Sequence, residues 1–170
     1  VKGHIPLIEP FTLIPSFVHV GGGLETTTSS VLSTSGQDAI VDWVFLELRS
    51  HLDPTLVVNT RSALIQRDGD VVDVDGVSPV GFLVPTGNYY VSIKHRNHLG
   101  VMTANTILLS NAMNSVDFTD SLTVTHGTHA QTSATSGENL MWGGNADSDK
   151  YIVLQGSGLG LPDHQAIFTD

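Results

Sequence analysis

The apolar residues of this chain change their period from one end to the other. Over the first twenty positions Ile5, Leu7, Ile8, Phe11, Leu13, Ile14, Phe17, Val18 and Val20 are apolar, while Pro6, Pro10 and Pro15 fall among them. Proline lacks the N–H that a helix needs and clashes with the preceding turn, so no continuous helix forms there. The pattern predicts an extended apolar arm, followed by a Gly21-Gly22-Gly23 hinge and a polar loop from Thr26 to Ser35, together residues 1–36. Such an arm either packs on its own domain as an edge segment or completes a neighbour's sheet through main-chain hydrogen bonds.

From Ile40 onward the signals are those of strands. Ile40 to Arg49 (IVDWVFLELR) is nearly continuous apolar, as in a central strand covered on both faces. Asp53-Pro54 marks a turn, and Leu56 to Arg67 follows as a second strand, bent or interrupted near Asn59. Asp68-Gly69 and Asp75-Gly76 are hairpin signals bracketing Val71, Val72 and Val74. Gly87 to His95 alternates, with Tyr89, Val91 and Ile93 on one side and Tyr90, Ser92 and Lys94 on the other. Asn97 to Gly100 turns the chain into Val101 to Leu109, and Ser115 to Thr119 and Ser121 to Thr125 read as shorter strands. Short strands at close spacing predict an all-β fold, an antiparallel sandwich of immunoglobulin-like or prealbumin-like type. Its body is residues 37–126, with Trp43, Phe45, Leu46, Tyr89, Val91 and Ile93 as anchors. Gly127 to Gly137 is a Thr/Ser/Ala/His linker leading into a tail, so residues 127–170 stand apart from the body. Only Pro162 to Phe168 hints at a helical period.

Composition narrows the function classes. The chain of 170 residues carries 7 Lys and Arg against 17 Asp and Glu, a net charge of −10. Nucleic acids and anionic membranes recruit clustered Lys and Arg, so both are excluded as main partners. No run reaches the roughly 18 apolar residues of a membrane span. There is no cysteine, hence no disulfide framework and no thiolate zinc site. Ser and Thr are abundant and only 14% of residues are charged, which leans toward an extracellular β-rich surface. Val1-Lys2-Gly3-His4 lacks a basic region followed by an apolar one, so the chain reads as mature or as never exported.

Several groups of residues carry candidate chemistry. Asn145, Asp147 and Asp149 alternate as do the first ligands of a calcium loop, because a hard cation takes six to eight oxygens. Lys150 stands where glycine is needed and Gly156 where the closing carboxylate belongs, leaving Asp163 to close the site from farther away. Asp68, Asp70, Asp73 and Asp75 put four carboxylates into eight residues and repel one another without a cation. Both flanking Asp-Gly pairs are also ordinary hairpin chemistry, and Asp70 is within reach of Arg67 across a turn. Ca2+ is therefore the one cofactor to consider. His95 and His98, and His126 and His129, are pairs three apart, which zinc sites use, but no helix aligns them, and exposed loop histidines are the plainer reading. Gly156-Ser157-Gly158-Leu159-Gly160 has the glycines of a phosphate loop without its lysine, and no Gly-x-Ser-x-Gly elbow exists. Nothing marks an enzyme.

Five stretches and the tail share a wider likeness. IPLIEPF (Ile5 to Phe11), HVGGGLET (His19 to Thr26), VDWVFLELR (Val41 to Arg49), SALIQRDGDVVDVDGVSPV (Ser62 to Val80), GNYYVSIKHRNHLGVMT (Gly87 to Thr103) and MWGGNADSDKYIVLQGSG (Met141 to Gly158) resemble the C-terminal β-sandwich module, with its dockerin-like tail, of large secreted and surface proteins of Bacteroidetes. The resemblance spans almost the whole chain and implies a secreted or cell-surface, non-catalytic β-sandwich, adhesive or structural. Two departures stand out. Lys150 and the inserted Leu159 to Pro162 depart from the family's metal loop. Family members also carry a strand before the IPL segment, and this sequence begins just beyond its place. If that strand is absent, an open groove exposes apolar edges that a strand from another copy fills. Repeated head-to-tail, this yields a filament. Asp120-Ser121-Leu122 looks like the Asp-Ser/Thr-apolar acceptor for O-glycosylation in that phylum, at Ser121.

The reading that results is a secreted structural protein that self-associates by strand complementation into a filament or matrix, its partners other copies of itself. The subunit contacts fall to Ile5, Leu7, Ile8, Phe11, Leu13, Ile14, Phe17 and Val18, and to Tyr151, Ile152, Val153 and Leu154. The rival is a carbohydrate-binding or adhesin module, in which exposed aromatics stack on sugar rings, with Trp142, Tyr90 and Tyr151 as candidates.

Overall fold

The structure, a computed structural model, describes residues 5–144. Strand β1 (Ile40–Ser50) is its centre. β1 pairs antiparallel with β2 (Val57–Gln66) on one side and with β4 (Gly87–His95) on the other. β3 (Val71–Val72) lies outside β2, and β5 (His98–Met102) and β6 (Ile107–Leu109) share the far side of β4, giving the order β3-β2-β1-β4-β5 with β6 on β4. A separate hairpin joins β7 (Gln131–Ser133) and β8 (Asn139–Met141). The fold is all-β, antiparallel and sandwich-like, with one short helix, α1 (Ser29–Leu32), capped by the Thr28 hydroxyl accepting the Val31 N–H.

Alternation along β1 explains why the strand is apolar throughout. Trp43 and Phe45 face one layer, where they meet Phe11, Phe17, Leu32, Leu64 and Val72. Val44 and Leu46 face the other, with Ala63, Ile93 and Val101, under Phe82, Phe118 and Met141. Both faces are thus covered, and the two covering layers are mostly irregular chain instead of a second large sheet.

Residues 5–36 supply the first of these layers and pack on the sheet as part of the domain. Phe11 is fully buried and its ring lies 4.6 Å from that of Phe17, which meets Phe45 edge-on at 5.3 Å. The Trp43 indole N–H donates to the Pro6 carbonyl at 2.9 Å, tying the segment to the sheet. A one-residue bridge, Ile8 to Thr26, closes this layer on itself.

Most strand expectations match. The irregularity expected near Asn59 is a bulge: pairing steps from Leu48↔Asn59 to Arg49↔Val57 and leaves Val58 over. Asp68-Gly69 forms the expected hairpin, with Gly69 at φ +101 and the Gln66 N–H bound to the Asp70 carbonyl at 2.8 Å. Other segments differ. Val101 to Leu109 is broken between β5 and β6, so that each borders a different half of β4. Ser115 to Thr119 and Ser121 to Thr125 are not strands. Asp117 accepts the Thr119 N–H and Asp120 the Leu122 N–H, and these local bonds compete with ladder pairing. The expected linker from Gly127 holds β7, and β8 carries Met141 into the core. The segment after it joins the sheet edge: Leu99 N–H donates to Trp142 O, Gly144 N–H to Asn97 O, and His98 bridges Gly143.

Candidate functional site

Three features stand out from the core: a histidine–carboxylate cluster at the β4–β5 turn, a buried polar patch on one sheet face, and an incompletely paired sheet edge.

The cluster is built where β1, β4 and β5 meet. Asp42 lies in β1 and takes Arg96 through both carboxylate oxygens, at 3.0 and 2.9 Å. His95 Nε2 lies 3.1 Å from Asp42 Oδ2, and His95 Nδ1 lies 3.0 Å from His98 Nδ1. The Asn97 N–H also donates to His95 Nδ1 at 3.1 Å. That fixes the protons: His95 Nδ1 is an acceptor, so His95 carries its hydrogen on Nε2 toward Asp42, and His98 donates from Nδ1. Burial would raise the Asp42 pKa, but the bonds from His95, from the Trp43 N–H and from Arg96 hold it below the usual carboxylate value. Burial lowers the His98 pKa, the neighbouring His95 adds to this, and Asp42 opposes it. Of the histidines expected as exposed loop residues, His126 and His129 are exposed, whereas His95 and His98 form a half-buried pair.

The polar patch continues the Trp43–Phe45 face along β1. Glu47 is 3% exposed, and its two oxygens take Lys94 at 2.5 Å and Arg49 at 2.6 Å. Beside it Thr60 binds the chain at Val20 and Gly21. A second buried carboxylate, Glu9, gathers the N–H groups of Phe11, Thr12 and Leu24 and the Thr12 hydroxyl, and so holds the whole loop. Leu24 keeps a left-handed φ of 61° under that restraint. These groups satisfy one another and build structure.

The edge is formed by β2. On its outer side β3 pairs only with Leu64 and Ile65. Among the described residues no strand pairs with Val57 to Ala63 on that side; at its middle the chain's own Val20 and Gly21 meet Thr60, whose N–H donates to the Val20 carbonyl at 2.8 Å, and Arg61 reaches Asp73. Leu56, 54% exposed, precedes the edge in sequence, and Val20, 38% exposed, lies beside it through its carbonyl, with Val18, 67% exposed, two residues earlier in the chain.

The sequence-predicted residues are placed as follows. Phe11 and Phe17 are buried in the chain's own core, and Ile5 and Ile14 pack partly against it. Leu7, Ile8, Leu13 and Val18 of the same segment are exposed. Asp68, Asp70, Asp73 and Asp75 are engaged separately. Asp73 takes Arg61 at 2.6 Å, Asp75 caps the Val77 and Ser78 N–H groups, and Asp68 accepts from the Asp70 N–H. Arg61 thus holds Asp73, across the sheet edge. Among the described residues no three His, Asp or Glu side chains gather as a metal site. Trp142 is 40% exposed, with its indole N–H on the His129 carbonyl at 2.9 Å, while Tyr90 is half-buried toward the other end of β4. Ser121 is exposed in a turn. Asn145, Asp147, Asp149, Asp163 and Tyr151, Ile152, Val153 and Leu154 lie outside the described residues. Asp42 and the Trp142–Gly144 segment are the members of the cluster that sequence reading missed; Asp42 sits in an apolar run 53 residues before His95, with no local signal.

No protein-family model, curated protein or solved structure matches this chain.

Proposed function

We propose that this chain is a secreted, non-catalytic structural module that associates with copies of itself by strand complementation into a filament or matrix. The observation that carries this reading is the outer edge of β2, where Val57 to Ala63 have no strand partner among the described residues. An unpaired edge offers N–H and C=O groups that an extended segment satisfies, and adjoining apolar side chains add burial. Leu56, exposed and next to the edge in sequence, and Val18, exposed and two residues before the Val20 that meets Thr60, supply such burial. The Tyr151 to Leu154 segment of a second copy is the donor in this reading, and Ca2+ screens the acidic subunits from one another.

Light scattering on the full chain at high concentration tests it. Association is expected, and Val18→Asp with Leu56→Asp is expected to shift the protein to monomer without loss of the folded signal in circular dichroism. A compact wild-type monomer at high concentration sinks the reading.

A second reading, a carbohydrate-binding module at the cell surface, rests on Trp142, an exposed indole pinned by its N–H. Glycan-array binding lost on Trp142→Ala, with association unchanged, favours it.

A further inference from the structure

The cluster at the β4–β5 turn has a geometry that neither reading uses. We propose that His95 and His98 bind one divalent transition-metal ion between their Nδ1 atoms, with Asp42 as the positioning carboxylate behind His95.

The two Nδ1 atoms face each other at 3.0 Å. Nitrogen ligands held about 2.0–2.1 Å from one tetrahedral zinc ion sit roughly 3.3 Å apart, so the two rings need open only by about 0.3 Å and turn until both lone pairs meet at an ion beside the Nδ1–Nδ1 line. A ligating histidine characteristically donates its other ring N–H to a carboxylate, which fixes tautomer and ring direction and raises its basicity. His95 does this: Nε2 lies 3.1 Å from Asp42 Oδ2, and Arg96 in turn holds Asp42 through both oxygens. The side chains are half-buried, His95 at 14% and Asp42 at 17% exposed, so the rings are ordered before any ion arrives.

Ligand type selects the ion. Imidazole nitrogens suit Zn2+, Ni2+ and Cu2+, whereas Ca2+ wants oxygen ligands. Binding requires that His98 move its hydrogen from Nδ1 to Nε2 while staying neutral, and that the Asn97 N–H give up its bond to His95 Nδ1. No proton is released. Two imidazoles leave the other coordination positions to water or added ligands. Because His98 also bridges Gly143 and Leu99 N–H holds the Trp142 carbonyl, the ion would fix the turn on which the 142–144 segment rests.

Calorimetric titration of the full chain with Zn2+ tests this. One ion per chain is expected. His95→Ala or His98→Ala should weaken binding at least tenfold, and Asp42→Asn about 10–100-fold, the range for loss of a carboxylate behind a ligand. His51→Ala, at an exposed position, should leave it unchanged. X-ray absorption at the zinc edge on the wild-type chain and on His126→Ala/His129→Ala should show two imidazoles in both. Absence of stoichiometric binding, unchanged binding in a folded His95→Ala/His98→Ala variant, or fewer than two imidazoles in either spectrum overturns the proposal.

Discussion

At the scale of single residues, stability rests on a few side chains that join the N-terminal layer to the sheet. Phe11 is fully buried against Phe17 and Phe45. Phe11→Ala should cost about 3–5 kcal/mol in urea unfolding, the usual range for a large aromatic removed from a core. Were that segment a detachable arm, the cost would be near zero. Glu9 makes a different contribution. Burial opposes its ionisation, yet the Thr12 hydroxyl and the N–H groups of Leu24, Thr12 and Phe11 outweigh that and lower its pKa below 4.5. A carboxylate with a depressed folded pKa stabilises the fold above its unfolded value and loses that contribution as pH falls through the folded one. Thermal unfolding should therefore fall below about pH 4.5 through Glu9, in addition to the loss that the depressed His98 pKa brings as pH drops below about 6.5. In Glu9→Gln this acid-dependent part should shrink, with lower stability at pH 7. Neither role was legible locally. Phe11 sits among nine other apolar residues of the first twenty, and which of them face inward depends on the sheet they meet.

At the scale of elements, the strongest strands were readable and the weak ones were not. β1, β2 and β4 combine length, β-branched and aromatic content and flanking turn residues, so their extents follow closely from pattern. The segments from Ser115 to Thr125 share those residue types, but Asp117 and Asp120 bind their own downstream N–H groups, and pairing is reduced to a one-residue bridge of Thr125 with Thr103. β7 and β8 were hidden because each is only 3 residues long, QTS and NLM, too short to show a period. The glycines after the first segment show the same dependence on context. Gly22 has φ +70, and a Cβ there would lie 2.6 Å from the Thr60 carbonyl oxygen. Gly22→Ala should then cost more than Gly69→Ala, where φ is +101 but nothing lies within 4 Å. Both losses, read by thermal unfolding, separate strain with a clash from strain alone. Equal losses would mean that the approach at Thr60 relaxes freely.

At the scale of the whole molecule, charge is the dominant quantity. Arg49 and Lys94 serve Glu47, Arg61 serves Asp73 and Arg96 serves Asp42, so these cations are spent inside the fold. Exposed acids such as Asp53, Asp68, Asp75, Asp117 and Asp120 are left to set the field of a chain whose net charge is −10. Copies of it repel unless ions screen them. Association measured by light scattering should weaken when a chelator is added at low ionic strength and recover when salt is raised. Association indifferent to both would mean that charge does not govern it. By itself the sequence determined the fold class, the central strands and the acidic balance, because period, turn chemistry and composition are local or additive properties. The tertiary structure alone decided which apolar residues of residues 5–36 are core, and that Asp42 joins His95 and His98. It also decided that Val57 to Ala63 of β2 have no strand partner on their outer side among the described residues. Each of these depends on residues far apart in sequence meeting at one place, and contacts of that kind leave no periodic trace in the chain.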